Sequence, residues 1–176
     1  MKRLFDILAS SVLLIALLPL MILIAAGVKL TSRGPIFFRQ VRIGWYTEPF
    51  QIWKFRTLYT GNHVGQVTRN DPQVTWFGRF LRKTSLDELP QLWNILIGDM
   101  SLVGPRPLTP NFYYEYNIPI ERSIVRPGLT GLAQILGHRG ICDMATRVKL
   151  DLEYKPSVSG DLKIIIQTIP VVFTGY

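Results

Sequence analysis

Residues 7–28 read ILASSVLLIALLPLMILIAAGV, twenty-two residues without a charge. As one straight helix this stretch would extend ~33 Å, enough to cross the hydrocarbon core of a bilayer. Pro19 lies near its centre, where it lacks a backbone donor and collides with the carbonyl of residue 15, so a kink or break is expected. Lys2, Arg3, Lys29 and Arg33 flank the two ends. Flanks rich in Lys and Arg favour the cytoplasmic side, so two half-helices bent at Leu18 and Pro19 would dip into one leaflet and return. A kinked single-pass helix fits the same residues, since prolines are tolerated in spanning helices. A cleaved signal peptide fits less well, because the stretch is long for such a core and the remainder is basic and cysteine-poor.

The 176 residues allow one modest domain and carry a formal charge of +8. The excess sits in the first half: four bases and one acid over residues 1–33, eight and two over 34–86, eight and nine over 87–176. Such a basic face suits anionic lipid, nucleotides or phosphorylated substrates, and charge alone does not choose among them. The single cysteine, Cys142, excludes an internal disulfide and reads as a small apolar side chain. The 48% hydrophobic content excludes disorder, and the absence of self-similarity excludes a repeat solenoid.

Beyond the apolar stretch, IFFRQVRIG (36–44) and FQIWKFRT (50–57) read as two strands of a hairpin. Period-two alternation in the second puts Phe50, Ile52, Lys54 and Arg56 on one face. The polar run TGNHVGQVTRNDP reads as a mobile loop in which His63 is a solvated side chain. QVTWFGRFLRKTS mixes Trp76, Phe77 and Phe80 with Arg79, Arg82 and Lys83, an amphipathic pattern that suits a headgroup layer or, equally, a helix packing its aromatics inward. Leu86, Leu89, Leu92, Trp93 and Leu96 describe one apolar helix face that ends at Gly98 and Asp99. MSLVG is extended, Phe112 to Tyr116 a short helix, and the tail from Asp161 an apolar helix suited to an interface.

The densest chemistry lies in TSLDELPQLWNILIGDMSLVGPRP. Ser85 and Glu88 have capping-box spacing, so Asp87 and Glu88 would do no more than complement a helix N-terminus on the simplest reading. Their company argues for more. Lys54, Arg56, Arg82, Lys83 and Arg106 are available to gather around them, and adjacent carboxylates ~100° apart on a helix suit separate roles, one attacking phosphorus or holding a metal while the other handles a proton. Arg106 stands between Pro105 and Pro107, which present its guanidinium at low conformational entropy, as a phosphate clamp requires. Asp99 reads as a turn residue.

KFRT (54–57), FGRFLRKTSLDELPQLWNILIGDMSLVGPRP (77–107), RPGLTGLAQILG (126–137) and LDLEY (150–154) resemble the bacterial sugar transferase family, the monotopic phosphoglycosyl transferases. The resemblance implies transfer of a sugar-1-phosphate from a UDP-sugar to polyprenol (undecaprenyl) phosphate, with release of UMP, at the cytoplasmic face of the bacterial inner membrane. It implies that Asp87 is the nucleophile, beside a metal, that Glu88 assists, and that Lys54, Arg82, Arg106 and Arg139 contact phosphate or nucleotide; Arg56, on the strand face of Lys54, is a further candidate for substrate binding. The fold it implies is α+β: a re-entrant membrane helix broken at Pro19 within residues 1–33, anchored by Lys2, Arg3 and Lys29, then a small, mainly helical catalytic domain over 34–176 with a β-hairpin and interfacial helices. Family members often place a serine before that proline; Leu18 stands there here. With no room for the spanning helices that precede the domain in longer relatives, the chain resembles the minimal catalytic form.

Magnesium is the expected metal, because carboxylate and phosphate oxygens are the available ligands and no His or Cys cluster exists for zinc. Expected partners are the UDP-sugar, polyprenol phosphate and inner-membrane lipids, without nucleic acid; a homo-oligomer is left open. The competing class is a membrane-tethered basic module that binds anionic lipid or nucleic acid and has no need of Asp87 and Glu88.

Overall fold

The computed structural model describes residues 1–61, 71–136 and 143–174. The loop expected around His63, together with Arg139 and Cys142, lies outside the described residues. The apolar stretch forms α1, Lys2–Thr31, a 30-residue helix of ~45 Å. It stays helical through Pro19, without the interruption expected there. A proline inside a helix forfeits one backbone bond, and the turns on either side hold the segment together.

One face of α1 packs along the rest of the molecule while the other is bare. Phe5, Ala9, Leu14 and Leu17 lean on a core built around Leu92, Ile95, Met100 and Val103. Met21, Ile24, Ala25 and Val28 pack with Phe55 and Leu81. Leu4, Leu8, Val12, Ile15, Leu18, Ile22 and Leu30 are exposed, an apolar surface that water does not favour. Exposed aromatic and aliphatic side chains recur on α2 (Trp76–Thr84) at Trp76 and Phe80, and on α7 (Val158–Thr174) at Leu162, Ile166 and Ile169.

Polar side chains fasten both ends of α1. At its start, Asp6 accepts from the Ser101 hydroxyl at 2.9 Å and the Leu102 amide at 3.1 Å. Lys2 pairs with buried Asp161, which also accepts from the Tyr154 hydroxyl at 2.6 Å. Arg3 donates to the carbonyls of Ile95 and Leu96 at 2.6 and 2.8 Å, satisfying the carboxyl end of α3, Gln91–Ile97. At the far end, Arg56 donates to the Ser32 and Arg33 carbonyls at 2.8 and 2.9 Å and to the Ser32 hydroxyl.

The expected hairpin is present as β1 (Phe37–Ile43) and β2 (Pro49–Phe55), antiparallel with Phe38 opposite Lys54 and Arg42 opposite Phe50. β3 (Ser101–Val103) pairs in parallel with β4 (Gly128–Thr130). Between them run α4 (Pro110–Glu115) and a 3-10 turn at Ile120–Ser123; α5 (Leu132–Leu136) and α6 (Met144–Glu153) follow β4. The leucine periodicity from Leu86 does not form one helix. Leu86–Glu88 is a 3-10 turn, α3 begins only at Gln91, and Trp93 faces outward while Ile95 is in the core.

Glycine makes the β3–β4 approach possible. A β-carbon at Gly128 would lie 2.0 Å from the Gly104 nitrogen, and one at Gly104 2.3 Å from the Arg126 carbonyl oxygen, with backbone rather than a movable side chain in the way. Overpacking of this kind costs about 1–3 kcal/mol or more, and a chain of this size loses roughly 2–4 °C per kcal/mol. Gly128→Ala should therefore lower the unfolding midpoint of the detergent-solubilised protein by several degrees, whereas Gly61→Ala, whose added carbon would meet none of the described residues, should leave it unchanged. Equal midpoints would refute this account of the strand pair.

Candidate active site

Three segments distant in sequence meet at Glu88. Lys54 reaches it from β2 with Nζ 2.6 Å from Oε1, and Arg106 from the segment after β3 with Nη2 2.8 Å from the same oxygen. The expected capping box does not form. Ser85 adopts the left-handed conformation (φ 56°, ψ 16°) as the residue that caps the end of α2, and Glu88 is drawn to the two cations instead. Two charge-assisted bonds in a partly desolvated site outweigh one local capping bond.

Position 88 is fixed by what precedes it. Thr75 caps α2 by accepting from the Gly78 amide at 2.8 Å, and Gly78 lies so close to the Thr57 carbonyl that an added β-carbon would fall 2.2 Å from its oxygen. Arg82, one turn before the 3-10 turn, donates from Nε to the Thr57 hydroxyl at 2.9 Å. α2 and the end of β2 are thereby locked together, which places the Asp87–Glu88 turn against Lys54.

Arg106 is fixed just as tightly. Its flanking prolines have no amide hydrogen, yet four successive carbonyls of this segment each receive a donor. Gly128 N donates to Pro105 at 2.9 Å, Arg122 Nη2 to Arg106 at 2.7 Å, Arg42 Nη1 to Pro107 at 3.0 Å and Ile43 N to Leu108 at 2.9 Å. Arg122 is itself buried in an ion pair with Asp151 of α6. The LDLEY stretch thus acts on the site at one remove, through the Arg106 backbone.

All of this surrounds an open cavity of about 1250 Å³, lined by Lys54, Arg56, Arg82, Asp87, Glu88, Arg106, Arg42, Arg147 and Gln134, among others. Burial and the neighbouring Glu88 charge raise Asp87 to about 6, against the opposing pull of Lys54, Arg82 and Arg106. Burial would raise Glu88 too, but Arg106 and Lys54, by charge and hydrogen bond, hold it well below the usual carboxylate range. The pair is therefore split: one permanently ionised carboxylate committed to cations, and one that ionises near neutrality and lines the cavity.

Among the expected contacts, Lys54, Arg82 and Arg106 surround the carboxylates. Arg56 borders the cavity, but its guanidinium is spent on the end of α1. Arg42 was missed. Phe38, Gln40 and Arg42 share the face of Lys54 once β1 is paired with β2, so alternation in the first strand was the available signal. Burial and the Arg106 charge lower Arg42 to about 10, against the pull of Glu88.

Among the described residues no three His, Cys, Asp or Glu side chains converge as a ready-made metal site. A divalent cation here would find the Asp87 carboxylate and would complete its shell with phosphate oxygens and water. That donor set suits magnesium and not zinc.

The fold is thus an α+β body carrying a long apolar helix with one bare face, and its cavity holds a split carboxylate pair among Lys54, Arg82 and Arg106. The chain belongs to the bacterial sugar transferase family, whose model matches residues 1–175. It is 47% identical over 188 residues to the UDP-glucose:undecaprenyl-phosphate glucose-1-phosphate transferase of Klebsiella pneumoniae, covering 99% of this chain and 40% of that protein. A Caulobacter vibrioides protein of the same name is 46% identical over 98% of this chain and 70% of its own length. The exopolysaccharide production protein PSS of Rhizobium leguminosarum bv. phaseoli is 39% identical over 96% of this chain and 93% of its own. The chain thus spans well under half of the first of these and nearly all of the last.

The split between the carboxylates has a direct test. In a Lys54→Met variant one of the cations opposing the raised Asp87 pKa is gone, so the titration of Asp87, followed by the carboxyl carbon resonance of labelled protein without divalent cation, should move upward from about 6. Lys54→Arg should hold it in place. A midpoint unmoved in Lys54→Met would mean that Lys54 does not act on this carboxylate.

Proposed function

We propose that this protein transfers glucose-1-phosphate, or a closely related sugar-1-phosphate, from a UDP-sugar to undecaprenyl phosphate, giving the polyprenyl-diphosphate sugar and UMP. The observation that carries the reading is the geometry at Glu88, which captures Lys54 and Arg106 and leaves Asp87 facing the cavity. The names of the relatives, UDP-glucose:undecaprenyl-phosphate glucose-1-phosphate transferases, supply the donor and acceptor to test first.

In this reading Asp87 attacks the phosphorus that bears the sugar. An Asp87 oxygen–phosphorus bond forms, the bond from that phosphorus to the bridging oxygen breaks, and UMP departs with the bond's electron pair. A phosphate oxygen of the lipid then attacks the same phosphorus, and the Asp87 carboxylate is regenerated. One phosphoanhydride is exchanged for another, so the reaction is close to balanced and the protein has only the barrier to lower. Lys54 and Arg106 face the charge that builds on the transferred group. Arg82 and Arg42 add positive potential to the same cavity. Glu88, already ionised and doubly paired, is a weak base; it serves to hold the two cations in place. Magnesium, when bound, supplies further charge neutralisation at the phosphate oxygens, and Asp87 is the residue available to hold it.

The same reading puts the active site at the cytoplasmic face of the inner membrane, with both ends of α1 on that side. Support comes from the anchoring of both ends of α1 on one body, Lys2, Arg3 and Asp6 at one end and Ser32 and Arg33 at the other, together with its bare apolar face.

Purified protein given UDP-glucose, undecaprenyl phosphate and magnesium should release UMP. Asp87→Asn should abolish the release, and Arg106→Lys, which keeps charge but loses the guanidinium fork, should lower it by about tenfold or more. Full activity in Asp87→Asn would reduce the acidic pair to a structural turn and refute the reading. Topology has its own test. Cysteines at Leu4 and Leu30, in a Cys142→Ser background, should both resist an impermeant thiol reagent added outside intact cells. Labelling of the Leu4 site alone would establish a spanning helix.

A further inference from the structure

Gln134 on α5 is only 7% exposed, yet among the described residues neither its oxygen Oε1 nor its nitrogen Nε2 has a hydrogen-bond partner. Buried amides are almost always paired, because an amide withdrawn from water without a replacement partner carries the full cost of desolvation. Both halves of this amide are orphaned at once, and the side chain lines the cavity that holds Asp87 and Arg106. The other buried glutamine with an unpaired nitrogen, Gln91, does not line that cavity.

The amide's position is set by the glycines of the β3–β4 pair. A β-carbon at Gly131 would lie 3.0 Å from Gln134 Oε1 and 2.2 Å from the Gly104 carbonyl oxygen, so the carboxamide stands beside Gly104, two residues before Arg106. The carboxamide thus stands next to the segment that presents Arg106.

We propose that Gln134 is a substrate-binding residue whose carboxamide pairs with a part of the nucleotide sugar that offers a donor and an acceptor side by side, the imide edge of uracil or a vicinal diol of the sugar. This rests on the transferase reading. Phosphate oxygens offer acceptors alone and would leave Oε1 orphaned, and a prenyl chain offers neither, so the donor's polar ends are the parts that satisfy both atoms. The unpaired amide is a cost in the free protein that correct substrate relieves, which discriminates against ligands lacking the matching group.

The test uses the full chain in detergent, with Asp87→Asn as the common parent so that no turnover intervenes. Binding of UMP and of UDP-glucose is measured by calorimetry, with and without Gln134→Leu, alongside ligand-free thermal unfolding. Replacing an orphaned amide by an apolar side chain of similar length should leave the ligand-free midpoint equal or higher. Affinity for UDP-glucose should fall about tenfold or more, the scale of a lost hydrogen-bonded pair. If UMP weakens in parallel, the group is the base; if UMP is unaffected, it is the sugar. Unchanged affinity for both ligands, or a lowered ligand-free midpoint with affinity retained at temperatures where the variant is folded, would overturn the proposal and make the amide part of the scaffold. Wild-type protein that binds no UMP in the presence of magnesium, with the parent binding neither nucleotide, would refute the transferase reading itself.

Discussion

The double ion pair at Glu88 is the interaction on which the rest of the site depends. It joins β2, the turn after α2 and the proline-framed segment after β3 at a single carboxylate oxygen. Without it, Lys54 and Arg106 would be two mutually repelling cations at the edge of an open cavity. With it they are held close together, and the charge left over falls on Asp87. Paired buried charges are costly to assemble and costly to break, which is why the surrounding chain is so heavily braced. The Thr57–Arg82–Gly78 contact, the four donors to residues 105–108 and the buried Arg122–Asp151 pair all serve to keep that cluster in register.

The same economy governs α1. A helix with one apolar face bare and the other packed on the apolar core of the body would slide or detach if apolar contact alone held it. Directional bonds at both ends prevent this. Buried Asp6 accepts from β3, Arg3 satisfies the last carbonyls of α3, and Arg56 holds the carbonyls of Ser32 and Arg33 just past the end of α1. α3 in turn carries Asn94, whose amide donates to the Gln51 carbonyl at 2.7 Å and whose oxygen accepts from the Trp53 amide at 3.1 Å, so the helix that receives α1 also fixes the strand bearing Lys54. Anchor and active site are mechanically one unit.

Much of this was legible in the sequence, for identifiable reasons. The hairpin obeys a period of two, so its strands and the inward side of Lys54 could be read directly. Arg56, assigned by the same alternation, escaped it because β2 ends at Phe55 and the next side chain turns to Ser32 and Arg33. The capping box at Ser85 and Glu88 was a sound local inference that tertiary charge overrode. The leucine stripe failed because a 3-10 turn and Pro90 shift the helical phase between Leu86 and Leu92. β4 was illegible, since three residues of a parallel pair leave no periodicity. Asp6, Asp161 and Gln134 passed unnoticed because only burial distinguishes them from ordinary surface polar residues.

Asp87, and not its neighbour, is the carboxylate proposed to react. The mass of the intact protein, taken after incubation with UDP-glucose and magnesium in the absence of lipid and followed by peptide mapping, tests this. The account predicts a single hexose-phosphate adduct on the peptide containing Asp87, localised to that residue, and its disappearance when undecaprenyl phosphate is added. An adduct on Glu88, or turnover at full rate with no adduct at any time and direct transfer from donor to lipid, would contradict it.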